Sequence, residues 1–174
     1  MPAVLEKKKT VQDYLQLPEG APYQLLNGEL VMSPSPGREH QKVGGAIYRL
    51  ISNLCVERKI GEVYYAPFDV YLDEENVVQP DICFFSNERL SELSDRGAEA
   101  APDIVIELLS PSNAYYDLRY KLDLYEKHGV KEYFIVDPED NIVIAYANQN
   151  NKFTEQYREK NIIRSTVLGT DITW

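Results

Sequence analysis

The sequence has little cysteine and histidine and no long apolar run. Cys55 and Cys83 are the only cysteines, no CxxC pair occurs, and there are 2 histidines. This excludes a disulfide framework and a cysteine-rich zinc site, and it fits a reducing cytoplasm. No stretch reaches the roughly 18 apolar residues of a transmembrane helix, and the N-terminal segment lacks a signal-peptide core. We therefore expect a soluble cytoplasmic protein with no membrane partner.

Basic residues are also scarce. The chain has 18 Lys and Arg against 28 Asp and Glu, which gives a formal net charge of −10. A polyanion such as DNA meets net repulsion unless basic groups cluster locally. The length of 174 residues, the 44% apolar content and the absence of repeats or a Pro/Gly-rich linker predict a single domain spanning residues 1–174.

Apolar periodicity and turn residues predict the order of elements. A short helix with Thr10 as N-cap precedes a β-hairpin around Asn27-Gly28, and an amphipathic helix runs from about Arg38 to Arg58. Long strands "EVYYAPFDVYLD" and "NVVQPDICFF", a loop over 86–101, the strand "DIVIELL", a break at "SPSN", a helix from about Asp117 to His128, and strands "EYFIVDP", "NIVIAYA" and "KFTEQY" follow. The fold class is α/β (α+β), with a mixed central sheet flanked by helices and an N-terminal hairpin.

Glu107 is a charged residue in a segment that is otherwise apolar. It interrupts the apolar run Ile104–Leu109, which has the composition of a strand covered on both faces. A buried carboxylate is costly unless a partner compensates its charge. The preceding strand carries one acid, Asp81, after Pro80. Two neighbouring carboxylates repel unless a cation or proton lies between them, and Mg²⁺ binds through one or two carboxylates and waters.

Helix geometry adds two inward-facing candidates. In the second amphipathic helix, Lys121 lies near the middle of the apolar arc formed by Leu118, Leu122, Leu124 and Tyr125, so its cation faces the sheet. In the first, His40 follows the line of Val43, Ile47 and Ile51 near the helix start. An inward ammonium can neutralise Glu107 and, beside a metal, orient water or a phosphate oxygen.

These segments resemble a known family. "QPDICFF", "APDIVIELLSPSN" and "DLRYKLDLYEKHGVKEYFIVDP" are similar to the Uma-type family of restriction endonucleases, a branch of the PD-(D/E)XK nuclease superfamily. The resemblance implies a restriction-endonuclease-like fold, DNA as substrate, and Mg²⁺, or Mn²⁺ in its place. It implies Asp81 and Glu107 as metal ligands with the main-chain carbonyl of Leu108, and Glu29 and His40 as auxiliary polar positions. The superfamily lysine two positions after the second acid is Leu109 here, so Lys121 would supply the ammonium.

Structural alternatives stand beside each of these roles. Glu107 could form an ion pair with Lys121 alone, and Lys121 could instead pair with Asp117 on the helix surface. Asp81 could cap a turn, and His40 could bind a main-chain carbonyl at the edge of the core. Asp103 also follows a proline. However, it would lie about 13 Å from Glu107 on the same strand face, too far to share an ion.

Two functions remain open on the sequence alone, with a weaker third. The first is a Mg²⁺-dependent endonuclease cutting DNA, whose affinity could come from a homodimer or a partner that gathers the basic groups. The second is a binding or regulatory module that keeps the nuclease fold without turnover, because Leu109 replaces the usual lysine and the charge is negative. Hydrolysis of a small molecule by the two carboxylates without a metal is the third. The 13 tyrosines could stack on bases, or could cover the edges of the core.

Overall fold

The computed structural model describes residues 8–33, 35–110 and 116–174, without the side chains of residues 116 and 117. A short helix α1 (Val11–Tyr14) begins at the predicted N-cap, where the Thr10 N–H donates to Asp13 Oδ2 at 2.8 Å. The hairpin strands β1 (Tyr23–Leu26) and β2 (Glu29–Met32) follow. Asn27 and Gly28 have φ angles of 52° and 78°, as a tight hairpin turn requires.

The long helix α2 (Arg38–Arg58) has the predicted bounds. Its buried residues are Val43, Ile47, Ile51 and Cys55, spaced by one turn, so one stripe of the helix packs on the sheet. The remaining elements are β3 (Gly61–Tyr65), β4 (Val70–Asp73), β5 (Asn76–Val78), β6 (Ile82–Ser86), β7 (Leu93–Ser94), β8 (Gly97–Ala98), β9 (Ile104–Leu108), α3 (Tyr116–Lys127), β10 (Glu132–Asp137), β11 (Ile142–Gln149), β12 (Lys152–Lys160), β13 (Ile162–Ser165) and β14 (Thr170–Thr173), with a 3₁₀ helix at Asn87–Glu92.

The central sheet has the strand order β12-β11-β10-β9-β6-β3 and is mixed, because β9 and β10 are parallel while the other pairs are antiparallel. The predicted α+β class with a mixed sheet is confirmed. The predicted break at 110–113 falls mostly outside the described residues. Within the described ranges, none of the helices combines the length and apolarity needed to cross a bilayer.

Each of the two long predicted strands is divided into two, so the prediction of single strands there was wrong. "EVYYAPFDVYLD" ends as β3 at Tyr65 and resumes as β4 at Val70, with a cis Ala66-Pro67 peptide between them. "NVVQPDICFF" is divided at Pro80 into β5 and β6. Proline supplies no N–H to a strand ladder, so the chain leaves one sheet and enters another there. β3 and β6 belong to the central sheet, whereas β4 and β5 belong to a second sheet with the order β2-β1-β5-β4-β8-β7.

The central sheet is covered on both faces. Ile104, Ile106 and Leu108 of β9 pack with the α2 stripe and the C-terminal hairpin. Val105, between them, packs on the opposite face with Leu124 and Tyr125 of α3 and with the second sheet. Glu107 shares the parity of Val105, so strand alternation directs it toward α3.

The C-terminal hairpin β13–β14 was not predicted from the sequence. Its loop is held by Glu132, a buried residue of β10, which accepts hydrogen bonds from Ser165 Oγ at 2.5 Å and from the Thr166 N–H at 2.8 Å. The apolar residues Ile163 and Ile172 then extend the core over the sheet. The Glu132 carboxylate, far away in sequence, therefore fixes the loop of this hairpin. No local sequence pattern predicts such a contact.

Replacing Glu132 with glutamine is expected to lower the free energy of unfolding by about 1–2 kcal/mol, because hydrogen bonds to a charged acceptor become bonds to a neutral one. Urea denaturation followed by the fluorescence of Trp174, whose indole N–H donates to Asn141 at 3.1 Å, measures the change. Glu155→Gln, on the exposed edge strand β12, is the control. An equal free energy of unfolding in wild type and Glu132→Gln would contradict the anchoring role.

Candidate metal and active site

Two carboxylates face each other at one end of the central sheet. In the antiparallel pair of β6 and β9, Ile82 lies opposite Ile106. Extending this register by one residue brings Asp81, which directly precedes β6, next to Glu107, and the charge of Asp81 acts on the Glu107 carboxyl. Directly opposed residues of neighbouring strands have their Cβ atoms about 5 Å apart. The two acids that the sequence singled out are therefore cross-strand neighbours.

Asp81 is placed by the start of its strand. The preceding segment ends at Pro80, and β6 begins at Ile82. The Asp81 carboxylate lies at the end of β9, where its Oδ2 accepts a hydrogen bond from the Leu108 N–H at 2.7 Å. The main-chain carbonyl of Asp81 accepts the Ala66 N–H at 3.0 Å, which links the same position to the end of β3. Asp81 is thus fixed from both neighbouring strands.

Glu107 is buried, with 6% of the residue exposed. Its Oε1 accepts two hydrogen bonds from α3, from Lys121 Nζ at 2.8 Å and from the Tyr125 hydroxyl at 2.7 Å. Lys121 is equally buried, so the inward direction predicted from the helical arc is what the structure has. The alternative pair of Lys121 with Asp117 concerns a side chain outside the described residues.

The electrostatic balance at Glu107 favours an added positive charge. Burial raises the pKa of Glu107, Lys121 and Tyr125 lower it, and the negative charge of Asp81 raises it again, so the net direction is upward. Lys121 supplies one positive charge for two carboxylates. A further cation near the pair would relieve the remaining repulsion.

His40 lies over Asp81 at the start of α2. Its Nε2 is 3.3 Å from Asp81 Oδ2, and the ring also interacts with the main chain of Leu108. The hydrogen bond to Asp81 raises the pKa of His40, burial lowers it, and the charges of Asp81 and Glu107 raise it, for a net increase. The structure therefore brings together Asp81, Glu107, Leu108, Lys121 and His40.

Glu29, the other auxiliary position that the resemblance implies, lies apart from this group. Glu29 is exposed at the turn end of β2, where it pairs with Leu26. The opposite end of the same hairpin, Tyr23 to Met32, is three residues away, or about 10 Å along the strand. Gln24 and Ser33 line the cleft described below, and Glu29 does not.

Asp103, the other acid considered for the metal, has a separate set of partners. It is fully buried, and its carboxylate contacts Lys131 Nζ at 2.7 Å, Arg89 Nε at 3.2 Å and the Ser86 N–H at 2.7 Å. These contacts join β6, β9 and the loop before β10. Asp103 therefore has a structural explanation that needs no metal.

A large cleft opens above the acidic pair. Its volume is about 1700 Å³, whereas small-molecule sites enclose about 300–1,000 Å³. Asp81, Glu107, Lys121 and His40 line it together with residues of α1, the first hairpin and α2. The acidic pair thus lines a cleft larger than a typical small-molecule pocket.

Comparison with known proteins identifies the family of this chain and a similar fold. The model of Uma2, a family described as "Putative restriction endonuclease", matches residues 11–172. The chain belongs to the Uma2 family. A crystal structure described as a putative nuclease belonging to DUF820 from Anabaena variabilis has a similar fold, with a TM-score of 0.76, 21% sequence identity, and coverage of 91% of this chain and 90% of that chain. No curated protein matches the chain. Uma2 membership supports a nuclease, and the crystal structure shows the fold.

The oxygen atoms at the Uma2 site are of the kind that Mg²⁺ prefers. Among the described residues, the hydrogen bonds to these two acids end on Asp81 Oδ2 and Glu107 Oε1, and none ends on Asp81 Oδ1 or Glu107 Oε2. In residues 8–33, 35–110 and 116–174, no three His, Cys, Asp or Glu side chains gather as a metal site. Two carboxylates, the Leu108 carbonyl and water make a ligand set typical of Mg²⁺, so the residues present fit this ion.

Sequence reasoning missed a second polar group in the same cleft. Asp69 accepts hydrogen bonds from the Tyr14 hydroxyl and from Gln79 Nε2, each at 2.9 Å, and Gln24 accepts the Gln79 N–H at 3.0 Å. Burial, followed by the charge of Asp69, raises the pKa of Tyr14 well above its usual value. These residues come from α1, β1 and the two proline-containing segments, so no local spacing signals the group.

Proposed function

We propose that this Uma2 protein is a Mg²⁺-dependent endonuclease that hydrolyses phosphodiester bonds of DNA. The observation that carries the proposal is that Asp81, next to the first pair of the β6–β9 register, and Glu107 line one cleft, with the Lys121 ammonium 2.8 Å from Glu107. Opposed carboxylates with one oxygen each outside the described hydrogen bonds suit a divalent cation.

Asp81, Glu107 and the Leu108 carbonyl would hold the ion, and Mn²⁺ could replace Mg²⁺. When bound, such an ion supplies a water of lowered pKa and offsets negative charge on the phosphate. The chain's own residues arrange the ligands. The Leu108 N–H and His40 fix Asp81, while Lys121 and Tyr125 both hold the same oxygen of Glu107.

Lys121 has the position from which it can act in place of the superfamily lysine. Its Nζ reaches Glu107 from α3, on the face of the sheet to which Glu107 points, and it lines the cleft. An ammonium there attracts a phosphate oxygen and orients a nearby water. Leu109, at the usual lysine position, instead packs with the apolar side chains on the α3 face of the sheet.

A second function is favoured by the same contact. Lys121 is already in an ion pair with Glu107, and an ion pair of this kind also suits a scaffold that binds without turnover. A binding or regulatory module of this fold would retain the acidic pair for structure or for holding an ion.

Cleavage of supercoiled plasmid separates the two functions. We expect wild type to nick the plasmid with Mg²⁺ or Mn²⁺ and to lose this activity in EDTA. Asp81→Asn and Glu107→Gln, which keep the side-chain size but remove the charge, should each reduce the rate by at least about 100-fold. Glu155→Gln removes a carboxylate from the exposed edge strand β12 and should cut as wild type does.

Equal nicking by wild type and Asp81→Asn would identify a contaminating nuclease and favour the module. Titration calorimetry with Mn²⁺ gives an independent readout, since the two carboxylate variants should bind the ion more weakly than Glu155→Gln. Wild type that neither cuts nor binds Mn²⁺ would leave the metal-dependent proposal without support.

A further inference from the structure

Tyr65, at the end of β3, is an exposed aromatic residue in the cleft. With 59% of its surface exposed, it is one of the few large apolar residues that the described part of the chain leaves in solvent. Its ring contacts Tyr48 of α2 edge-on, with the ring centroids 4.7 Å apart. Tyr48 therefore supports Tyr65 on one side, while most of the Tyr65 surface remains exposed at the cleft.

The position of Tyr65 relative to the acidic pair is set by the central sheet. Tyr65 lies opposite Ile82 of β6. The N–H of the next residue, Ala66, donates a hydrogen bond to the Asp81 carbonyl. The backbones at Glu107, Asp81 and the end of β3 thus form a row across neighbouring strands. The Tyr65 side chain lies on the α2 face with its partner Ile82, whereas Glu107 points to the α3 face, and both line the cleft at this end of the sheet. Two strand spacings, or about 10 Å, separate the backbone at Glu107 from that at Tyr65.

The helix α2 continues this part of the cleft. His40 and Tyr48 are two turns apart on one side of α2, and both line the cleft. Gly44 and Gly45 lie between them. A Cβ atom at Gly45 would meet no atom within 4 Å, whereas one at Gly44 would contact the Leu108 side chain at 3.5 Å. The helix therefore has no side chain at these two positions, and Gln41 is the side chain of α2 that lines the cleft between His40 and Tyr48.

The outer edge of α2 carries positive charge on an otherwise acidic protein. Arg38, Lys42 and Arg49 are exposed, and at 3.6 residues per turn they fall within an arc of about 40°. We call these three residues the α2 basic stripe. The arc is next to the one that lines the cleft, and it extends for about 16 Å. Lys42 also contacts Glu39 at 3.3 Å, which offsets part of the charge.

We infer that the cleft binds single-stranded DNA, with one unpaired base stacked on Tyr65 and the phosphates of that strand along the α2 basic stripe. The inference rests on the proposed function, since it takes the acidic pair as the place where the strand is cut. Exposed aromatic rings beside a basic track are the common means of holding single strands without reading their sequence. Stacking also supplies affinity that a net charge of −10 cannot.

Duplex DNA fits these features less well. In a duplex each base is already stacked between its neighbours, so a ring such as Tyr65 can only be used after a base is unstacked, at a cost of a few kcal/mol. Affinity for an intact duplex depends mainly on phosphate contacts, which the described cleft offers at few positions. We therefore expect single strands to bind more tightly than the same sequence as a duplex.

Binding without cleavage tests the inference separately from the proposed function. Fluorescence anisotropy with a labelled oligonucleotide, in EDTA, should give a lower Kd for the single strand than for the duplex. Tyr65→Ala should raise the single-strand Kd about tenfold, Tyr65→Phe should bind as wild type does, and 2-aminopurine in the strand should lose its quenching only in Tyr65→Ala. Val56→Ala is the matched control, because Val56 is also an exposed apolar residue but lies on α2 outside the cleft lining.

The basic stripe has its own readout. Arg49→Gln should reduce the slope of log K against log salt concentration by about 1. Arg158→Gln, on the edge strand farthest from β3, should leave the slope unchanged. Tighter binding of the duplex, no binding of either DNA, or equal single-strand Kd values for Tyr65→Ala and Tyr65→Phe would overturn the inference. Tyr65-dependent binding without nicking would keep the binding mode and reject only the catalytic proposal.

Discussion

Replacing Lys121 with methionine is expected to lower the free energy of unfolding by about 3–5 kcal/mol. The substitution keeps the length of the side chain but leaves the Glu107 carboxylate buried beside Asp81 without its ammonium. Removing one partner of a buried ion pair typically costs this amount because the remaining charge is uncompensated. Urea denaturation followed by circular dichroism measures the change.

The loss should be largely recovered when Glu107→Gln is added to Lys121→Met. The double variant has a neutral pair, so the coupling energy in a double-mutant cycle reports the ion pair itself. Lys127→Met is the matched control on the same helix, because its side chain is 69% exposed and its contact to Asp73 is a surface pair at 3.3 Å. That control should change stability by less than about 1 kcal/mol.

The free energy of unfolding that Lys121→Met loses should depend on pH. Burial and the charge of Asp81 raise the pKa of Glu107, and Lys121 opposes them. Without Lys121 the folded pKa rises further. A raised folded pKa contributes stability that is complete below the unfolded value and is lost as pH rises through the folded value. The deficit of Lys121→Met should therefore be larger at about pH 8 than at about pH 5. A deficit that does not change with pH would mean that Glu107 is not the group left uncompensated.

The second large effect is expected at Asp103. Asp103→Asn should lower the free energy of unfolding by about 3 kcal/mol at neutral pH, because a buried carboxylate with two cations and the Ser86 N–H becomes a neutral amide. Burial raises the pKa of Asp103, but Lys131, Ser86 and Arg89 lower it by more, so the net direction is downward.

The sign of the pH dependence follows from this lowered pKa. A depressed folded pKa contributes stability that is present above the unfolded value, near 3.9, and is lost as pH falls through the folded value. Wild type should therefore lose its advantage over Asp103→Asn as the pH falls below about 4. Asp140→Asn, at an exposed turn, serves as the control and should follow wild type throughout. A constant difference between wild type and Asp103→Asn across this range would reject the assignment.

Several parts of the site could be predicted from the sequence because they depend on local periodicity. The apolar arc of α3 placed Lys121 toward the sheet, and the stripe of α2 did the same for His40. The strand composition around Glu107 predicted a buried carboxylate in need of a partner. In each case the period of a helix or a strand fixes which side a residue faces, and a short window of sequence contains that period.

The same reasoning failed where the answer depends on distant segments. Both long segments were predicted as single strands, and only the packed structure shows that the chain changes sheet at Pro67 and at Pro80. Glu29 was implied by the family resemblance alone, and its distance from the cleft follows from the length of the hairpin.

The sequence by itself determined the identity of the elements, the inward direction of Lys121 and His40, and the need to compensate Glu107, because these depend on neighbours along the chain. Only the tertiary structure decided that Asp81 lies next to Glu107, that Asp103 has its own cations, and that Tyr65 lines the same cleft as the acidic pair. Strand register and sheet order bring together residues far apart in sequence, and a single sequence carries no local signal of which residues will meet.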